Sequence, residues 1–249
     1  MKINNKQKRI FTLLKENTQT RAIKGNIIYR AMRALVRVYS MLVFNMDIEK
    51  MENLPEGPKI FVANHPSLTD PFILQLETHM SVVITGKTFA IPLVGRFLKH
   101  IHQISAESGS GTLDKALEHL QNGRSIGIFP EGANSHEGGG MKDFRSGAAR
   151  LALMSGVPVI PVGIHLRRDR FFRSISYMTG KKDIALFYLW GPYIMTLGKP
   201  MVFTGDVENR ELVRTVTEEI FTQVRSLAMQ SETRMGKKIK PVRSKVSQS

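Results

Sequence analysis

The sequence predicts an α/β fold: a mixed, largely parallel sheet flanked by helices, entered through an N-terminal amphipathic helical segment. Three observations carry that prediction. From Lys59 onward, short apolar runs recur as "KIFVAN", "SVVIT", "SIGIFP" and "VPVIPVGI", each continuous, as strands buried on both faces are. Helical patterns separate them, an alternation that builds a parallel sheet covered by helices. The 249 residues, 42% apolar and 23% charged, suffice for one such domain or two small ones.

The elements follow in order. From Asn26 to Phe44, Ile28, Ala31, Met32, Leu35, Val38, Tyr39 and Leu42 fall on one helical face, and Arg30, Arg33 and Arg37 fall opposite. Such a helix suits the headgroup plane of an anionic bilayer; it also suits packing on its own domain with solvated arginines. Helical patterns then cover Thr112 to Gln121, ended by Asn122 and Gly123, and Arg145 to Gly156, stopped before Pro158. A last amphipathic helix covers 206–230, with Asp206 as candidate N-cap. Two stretches break this rhythm. "RRDRFFRSISYMTGKK" and "IALFYLWGPYIMTL" mix aromatics with cations, a composition fitting a membrane interface or a core strand and loop. The organisation therefore reads as a membrane-associating segment over 1–50, an α/β domain over 51–232, and a basic disordered tail over 233–249.

Charge narrows the partners. Lysine and arginine exceed the acids by 15, which points to a polyanion: nucleic acid, an anionic membrane surface or phosphorylated substrates. Without cysteine there is no disulfide, thiolate catalysis or Cys-ligated zinc. No window reaches the roughly 18 uncharged apolar residues of a spanning helix, so the chain is expected to be soluble or attached to one membrane face.

The chemistry-bearing residues sit where strands end. In "FVANHPSLTDPF", His65 and Asp70 stand five residues apart across a turn favoured by Pro66 and Ser67. A carboxylate folded back onto Nδ1 would set the tautomer and leave Nε2 as a base; the same pair could instead be structural. "IFPEGANS" places Glu131 and Gly132 directly after a buried strand, and ligands gather at the carboxyl ends of such strands.

Together these blocks resemble the glycerolipid acyltransferase family that includes 1-acylglycerol-3-phosphate acyltransferases. The resemblance rests on Asn64, His65 and Asp70 (Asn-His-x4-Asp), on Phe129, Pro130, Glu131, Gly132 and Ser135, and on the Val157–Val162 strand, all in family order. It implies that His65 is the general base on an acceptor hydroxyl and that Asp70 orients it. Glu131, Gly132 and Ser135 would shape the acceptor pocket. The co-substrate would be acyl-CoA or acyl carrier protein, with no cofactor or metal, and the acceptor a lysolipid, 1-acylglycerol-3-phosphate first among them. The protein would sit peripherally on the cytoplasmic face of an anionic membrane and bind no nucleic acid.

Two departures bear on the acceptor. Asn134 stands where the family carries an arginine, beside Ala133 for the usual threonine, and the segment Ile104–Glu107 lacks the second block's arginine. Neither Asn nor Lys reproduces a bidentate guanidinium. Either the acceptor is a different, phosphate-free lipid, or Lys87, Arg96 or Arg145 supplies the charge, with Arg145 preferred. A non-catalytic lipid-binding protein is the alternative from another class.

Two apparent motifs are set aside. "GRSIG" over 123–127 fits Gly-x-Ser-x-Gly but follows a helix and opens a strand, the reverse of a nucleophile elbow. His100 with His102, and His136 with Glu137, lack the spacing and support of a metal site.

Overall fold

A computed structural model describes residues 27–76, 79–106, 111–132, 135, 140–176 and 183–238. In chain order the elements are α1 (Ile27–Val43), β1 (Phe44–Lys50), β2 (Ile60–Ala63), α2 (Asp70–Leu74), β3 (Met80–Thr85), α3 (Gly86–Phe89), α4 (Pro92–His100), β4 (Ile104–Ala106), α5 (Gly111–Gln121) and β5 (Ser125–Ile128). Then come α6 (Gly147–Ser155), β6 (Val159–Leu166), β7 (Phe171–Ser176), β8 (Asp183–Tyr188), β9 (Gly191–Leu197) and α7 (Arg210–Lys238).

The four apolar runs become β2, β3, β5 and β6, the central strands of a seven-stranded sheet ordered β1-β9-β6-β2-β5-β3-β4. β6, β2, β5, β3 and β4 run parallel, while β9 joins β6 antiparallel and carries β1 parallel to itself. Side chains alternate across the sheet, so each strand feeds two cores. Ile60 and Val62 of β2 enter one core with α5, α6 and α7, while Phe61 and Ala63 enter the other with α2, β8 and β9. At Gly163 of β6, an added Cβ would lie 2.1 Å from the Ala228 nitrogen of α7, so only glycine lets helix and strand meet this closely.

Four expectations shift on the tertiary level. α1 buries Tyr29, Met32 and Ser40 against the domain, with Arg33 donating to the Leu76 carbonyl at 3.0 Å. Met32 and Arg33 thus belong to the packed side, while Ile28, Leu35, Val38 and Leu42 stay exposed. The helix is apolar over more of its circumference than one core can cover. β1 lies within the first 50 residues yet forms the edge of the sheet. α7 starts later than expected, because the Asn209 side chain, not Asp206, accepts from the Glu211 and Leu212 amides at 3.1 and 3.0 Å. It also runs to Lys238, past residue 232, because Arg234 is held there by Asp47 and by Glu49 at 3.1 Å, both on β1.

The aromatic stretch divides. Tyr188 and Tyr193 are fully buried, whereas Leu189 and Trp190 face outward. β7 and β8 form a separate two-stranded ribbon.

Candidate active site

The site is built on the adjacent carboxyl ends of β2 and β5. Asn64 ends β2 by imitating a peptide group: its Nδ2 donates to the Ile164 carbonyl at 2.9 Å and its Oδ1 accepts from the Ile164 amide at 2.7 Å. That clamp to β6 fixes the backbone from which His65 projects. The imidazole then lies against the Phe129 ring, 4.4 Å between centroids.

Asp70 opens α2 and is fully buried. Its Oδ2 accepts from the Ser67 amide at 2.7 Å and meets His65 Nδ1 at 3.1 Å; its Oδ1 accepts from the Tyr193 hydroxyl at 2.8 Å. A carboxylate only accepts, so the proton between Asp70 and His65 sits on Nδ1, which leaves the lone pair on Nε2. Burial pushes the Asp70 carboxyl above its ordinary range, against the opposing pull of His65, Ser67 and Tyr193. The same burial, with the facing Asp70, holds the Tyr193 hydroxyl well above its own usual value, so it remains a donor. This is the environment of an orienting carboxylate: dry and held from three directions.

The turn between His65 and Asp70 is tied to β8 as well. The Leu68 amide donates to the Leu186 carbonyl at 2.9 Å, the Tyr188 amide to Ser67 Oγ at 2.8 Å, and Thr69 Oγ1 to the Tyr188 carbonyl at 3.1 Å. Ser67 is therefore more than a turn former.

Glu131 follows β5 and is buried among donors. Its Oε1 accepts from the His65 amide at 2.8 Å and the Ser135 hydroxyl at 2.7 Å, and its Oε2 from the Lys142 amide at 2.8 Å. The Ser135 amide returns a bond to the His65 carbonyl at 2.8 Å. Glu131 and Ser135 thus brace the main chain that carries His65. Gly132 adopts φ +69°, and a Cβ there would lie 2.6 Å from the Arg145 guanidinium carbon. The guanidinium packs on the glycine, at the rim of the same loop.

Six of the eight sequence-chosen residues thus assemble: His65, Asp70, Glu131, Gly132, Ser135 and Arg145. Arg96 is exposed on α4 and makes no bond to them among the described residues. Lys87 is exposed on α3, just beyond the carboxyl end of β3, and makes no bond to this cluster among the described residues. Asn134, Ala133, Glu107, His136 and Glu137 lie outside the described residues. Ser125 of "GRSIG" is buried and accepts from the Lys59 amide at 3.2 Å, a strand-pinning role. No group of three or more potential metal ligands occurs among the described residues. Tyr193 escaped the sequence reading, since it lies in no motif; its alternation with Met195 and Leu197 marks a core position and nothing more.

Fold and site together define a class: α/β proteins that present a carboxylate-oriented histidine at the carboxyl edge of a parallel sheet. Residues 45–165 match the acyltransferase family model. It is 28% identical over 158 residues to a 1-acyl-sn-glycerol-3-phosphate acyltransferase of Borreliella burgdorferi, covering 60% of this chain and 63% of that protein. It is 31% identical over 139 residues to a lyso-ornithine lipid O-acyltransferase of Pseudomonas aeruginosa, covering 54% and 53%. The chain thus spans less than two thirds of the length of these relatives. Its fold is that of a crystallised 1-acyl-sn-glycerophosphate acyltransferase of Thermotoga maritima, with a TM-score of 0.62 at 20% identity over 92% of this chain and 93% of the other.

Proposed function

We propose that the protein transfers a fatty acyl group from a thioester, acyl-CoA or acyl carrier protein, to a hydroxyl of a lysolipid in phospholipid biosynthesis. The observation that carries this reading is the His65–Asp70 bond at 3.1 Å, which sets the tautomer a base requires. Nε2 takes the acceptor's hydroxyl proton as the oxygen attacks the thioester carbonyl. The tetrahedral intermediate collapses, the C–S bond breaks, and the departing sulfur receives the proton from Nε2, yielding ester and thiol. Asp70 stabilises the imidazolium while it exists, and no cofactor enters the scheme.

The acceptor is 1-acylglycerol-3-phosphate, as the names of most of the similar proteins suggest, with the Arg145 guanidinium meeting its phosphate at the rim of the Gly132 turn. The lyso-ornithine relative supports a second reading, a phosphate-free acceptor. Both substrates are lipids, and the protein meets them as a peripheral protein at the cytoplasmic face of an anionic membrane, binding no nucleic acid. No described helix is long and apolar enough to cross a membrane. α1 offers an exposed apolar side, with Leu35 70% and Leu42 81% exposed, between arginines that suit anionic headgroups.

The test is mass spectrometry of products from purified protein given acyl-CoA or acyl carrier protein and a panel of lysophosphatidate, lyso-ornithine lipid and phosphate-free lysolipids. Transfer to lysophosphatidate that disappears in His65→Ala, with the circular dichroism spectrum preserved, is the expected result. Transfer to no lysolipid, or at undiminished rate in His65→Ala, would reject the proposal.

A further inference from the structure

The ribbon β7–β8 extends the catalytic turn outward. At its base, Leu186 and Tyr188 are buried and bonded to Leu68, Ser67 and Thr69. The ribbon is nonetheless poorly covered: Phe172, paired with Phe187 near the base, is 56% exposed, and the paired Ile175 and Ile184 farther out are 61% and 43% exposed. Phe172 and Ile175 point to opposite faces, so the ribbon is apolar on both sides. A two-stranded ribbon without a second layer is marginal in water. Something must cover these side chains.

The surroundings identify the cover. Arg167, Arg168, Arg170 and Arg173 lead into and line β7, with Asp169 as the sole acid among them, paired to Arg167. The other end of β8 runs into Leu189, whose carbonyl accepts from the Tyr39 hydroxyl of α1. Trp190 follows, 49% exposed. The apolar side of α1 therefore continues through Leu189 and Trp190 onto the ribbon. An exposed indole beside apolar side chains, with the Arg170 side chain packed against the neighbouring Gly191, matches the boundary between acyl chains and anionic headgroups.

We propose that ribbon β7–β8 and Trp190 form, with α1, one lipid-facing surface that seats on an anionic bilayer and delivers the His65–Asp70 turn to lipid-borne acceptor. This rests on the membrane reading above and adds a second contact, one attached by hydrogen bonds to the catalytic turn itself. Arginine content favours an anionic bilayer over a second copy of the chain, since two such ribbons would repel one another.

The chain contains a single tryptophan, so its emission reports on this surface alone. Full-length protein is mixed with vesicles of phosphatidylglycerol and phosphatidylcholine, with and without brominated acyl chains. Expected are co-sedimentation, a blue shift of Trp190 emission, and quenching by the brominated lipid. The double variant Phe172→Ser/Ile175→Ser, checked for an unchanged circular dichroism spectrum, should bind these vesicles about tenfold more weakly. Failure to sediment at all overturns the membrane reading together with this one. Sedimentation without quenching of Trp190, or with undiminished binding by the double variant, overturns the ribbon alone. A blue shift that grows with protein concentration in the absence of vesicles overturns it in favour of self-association.

Discussion

The Tyr193 hydroxyl donates to Asp70 Oδ1 at 2.8 Å, and both residues are fully buried. Tyr193 is a positioning residue: it occupies the carboxylate oxygen that His65 does not use. In Tyr193→Phe the Asp70 carboxylate loses a donor that favours its charged form, so its proton affinity rises further. The acid limb of the pH–rate profile should move to higher pH, and kcat should fall about tenfold, the loss of one charge-assisted hydrogen bond. Steady-state kinetics across pH on folded protein checks this. A wild-type profile would remove Tyr193 from the site.

Glu131 accepts on both carboxylate oxygens, from His65, Ser135 and Lys142. Glutamine supplies only one accepting oxygen and turns an NH2 toward a main-chain NH. Glu131→Gln is therefore expected to cost about 1–3 kcal/mol of stability by leaving a buried donor unmet. Activity should fall as the His65 backbone shifts. Thermal unfolding beside turnover measures both; a variant with wild-type melting temperature and rate would contradict the bracing role.

Arg145 packs on Gly132 at the rim of the cluster. In Arg145→Ala, KM for lysophosphatidate should rise on the order of tenfold, and by less for a phosphate-free acceptor. Equal changes for the two acceptors would show that Arg145 does not meet phosphate.

His79 supplies a pH effect away from the site. Arg124 Nη2 lies 2.7 Å from His79 Nε2, and Arg124 Nη1 donates to Ser81 Oγ at 3.1 Å. Guanidinium only donates, so Nε2 accepts and His79 is neutral. Burial first, then Arg124, Arg33 and His102, lower its pKa to about 4, against 6.5 ordinarily. A folded pKa below the unfolded one gives stability that is fully present above pH 6.5 and lost as pH falls toward 4. The melting temperature should drop across that window, and His79→Gln should drop less. Parallel curves for the two proteins would refute the assignment.

The carboxyl-end location of the site was legible in the chain because its parts are local. His65 and Asp70 are joined across a five-residue turn, and Glu131 directly follows a continuous apolar run. The central strands were legible for a related reason: burial on both faces leaves an unbroken apolar signature. β1, β4 and β9 carry weaker patterns, and their place depended on which edge they could reach. Periodicity along α1 found its apolar residues but not the side that would be buried, since that choice belongs to Leu98 and Ile101, which pack against Tyr29 and Met32.

The sequence by itself therefore determined the sheet's central strands and the spacing of His65 and Asp70 across their turn, because each is a matter of neighbours along the chain. It did not determine that Glu131 braces His65, from 66 residues away. Tertiary structure alone decided how Asp70 is held and which surface reaches outward. Tyr193 meets Asp70 from 123 residues away, and Ser67 meets the Tyr188 amide from 121. Those distances close only when β9 aligns on β6 and the ribbon folds onto the turn. Sheet register, a property of paired strands, sets both.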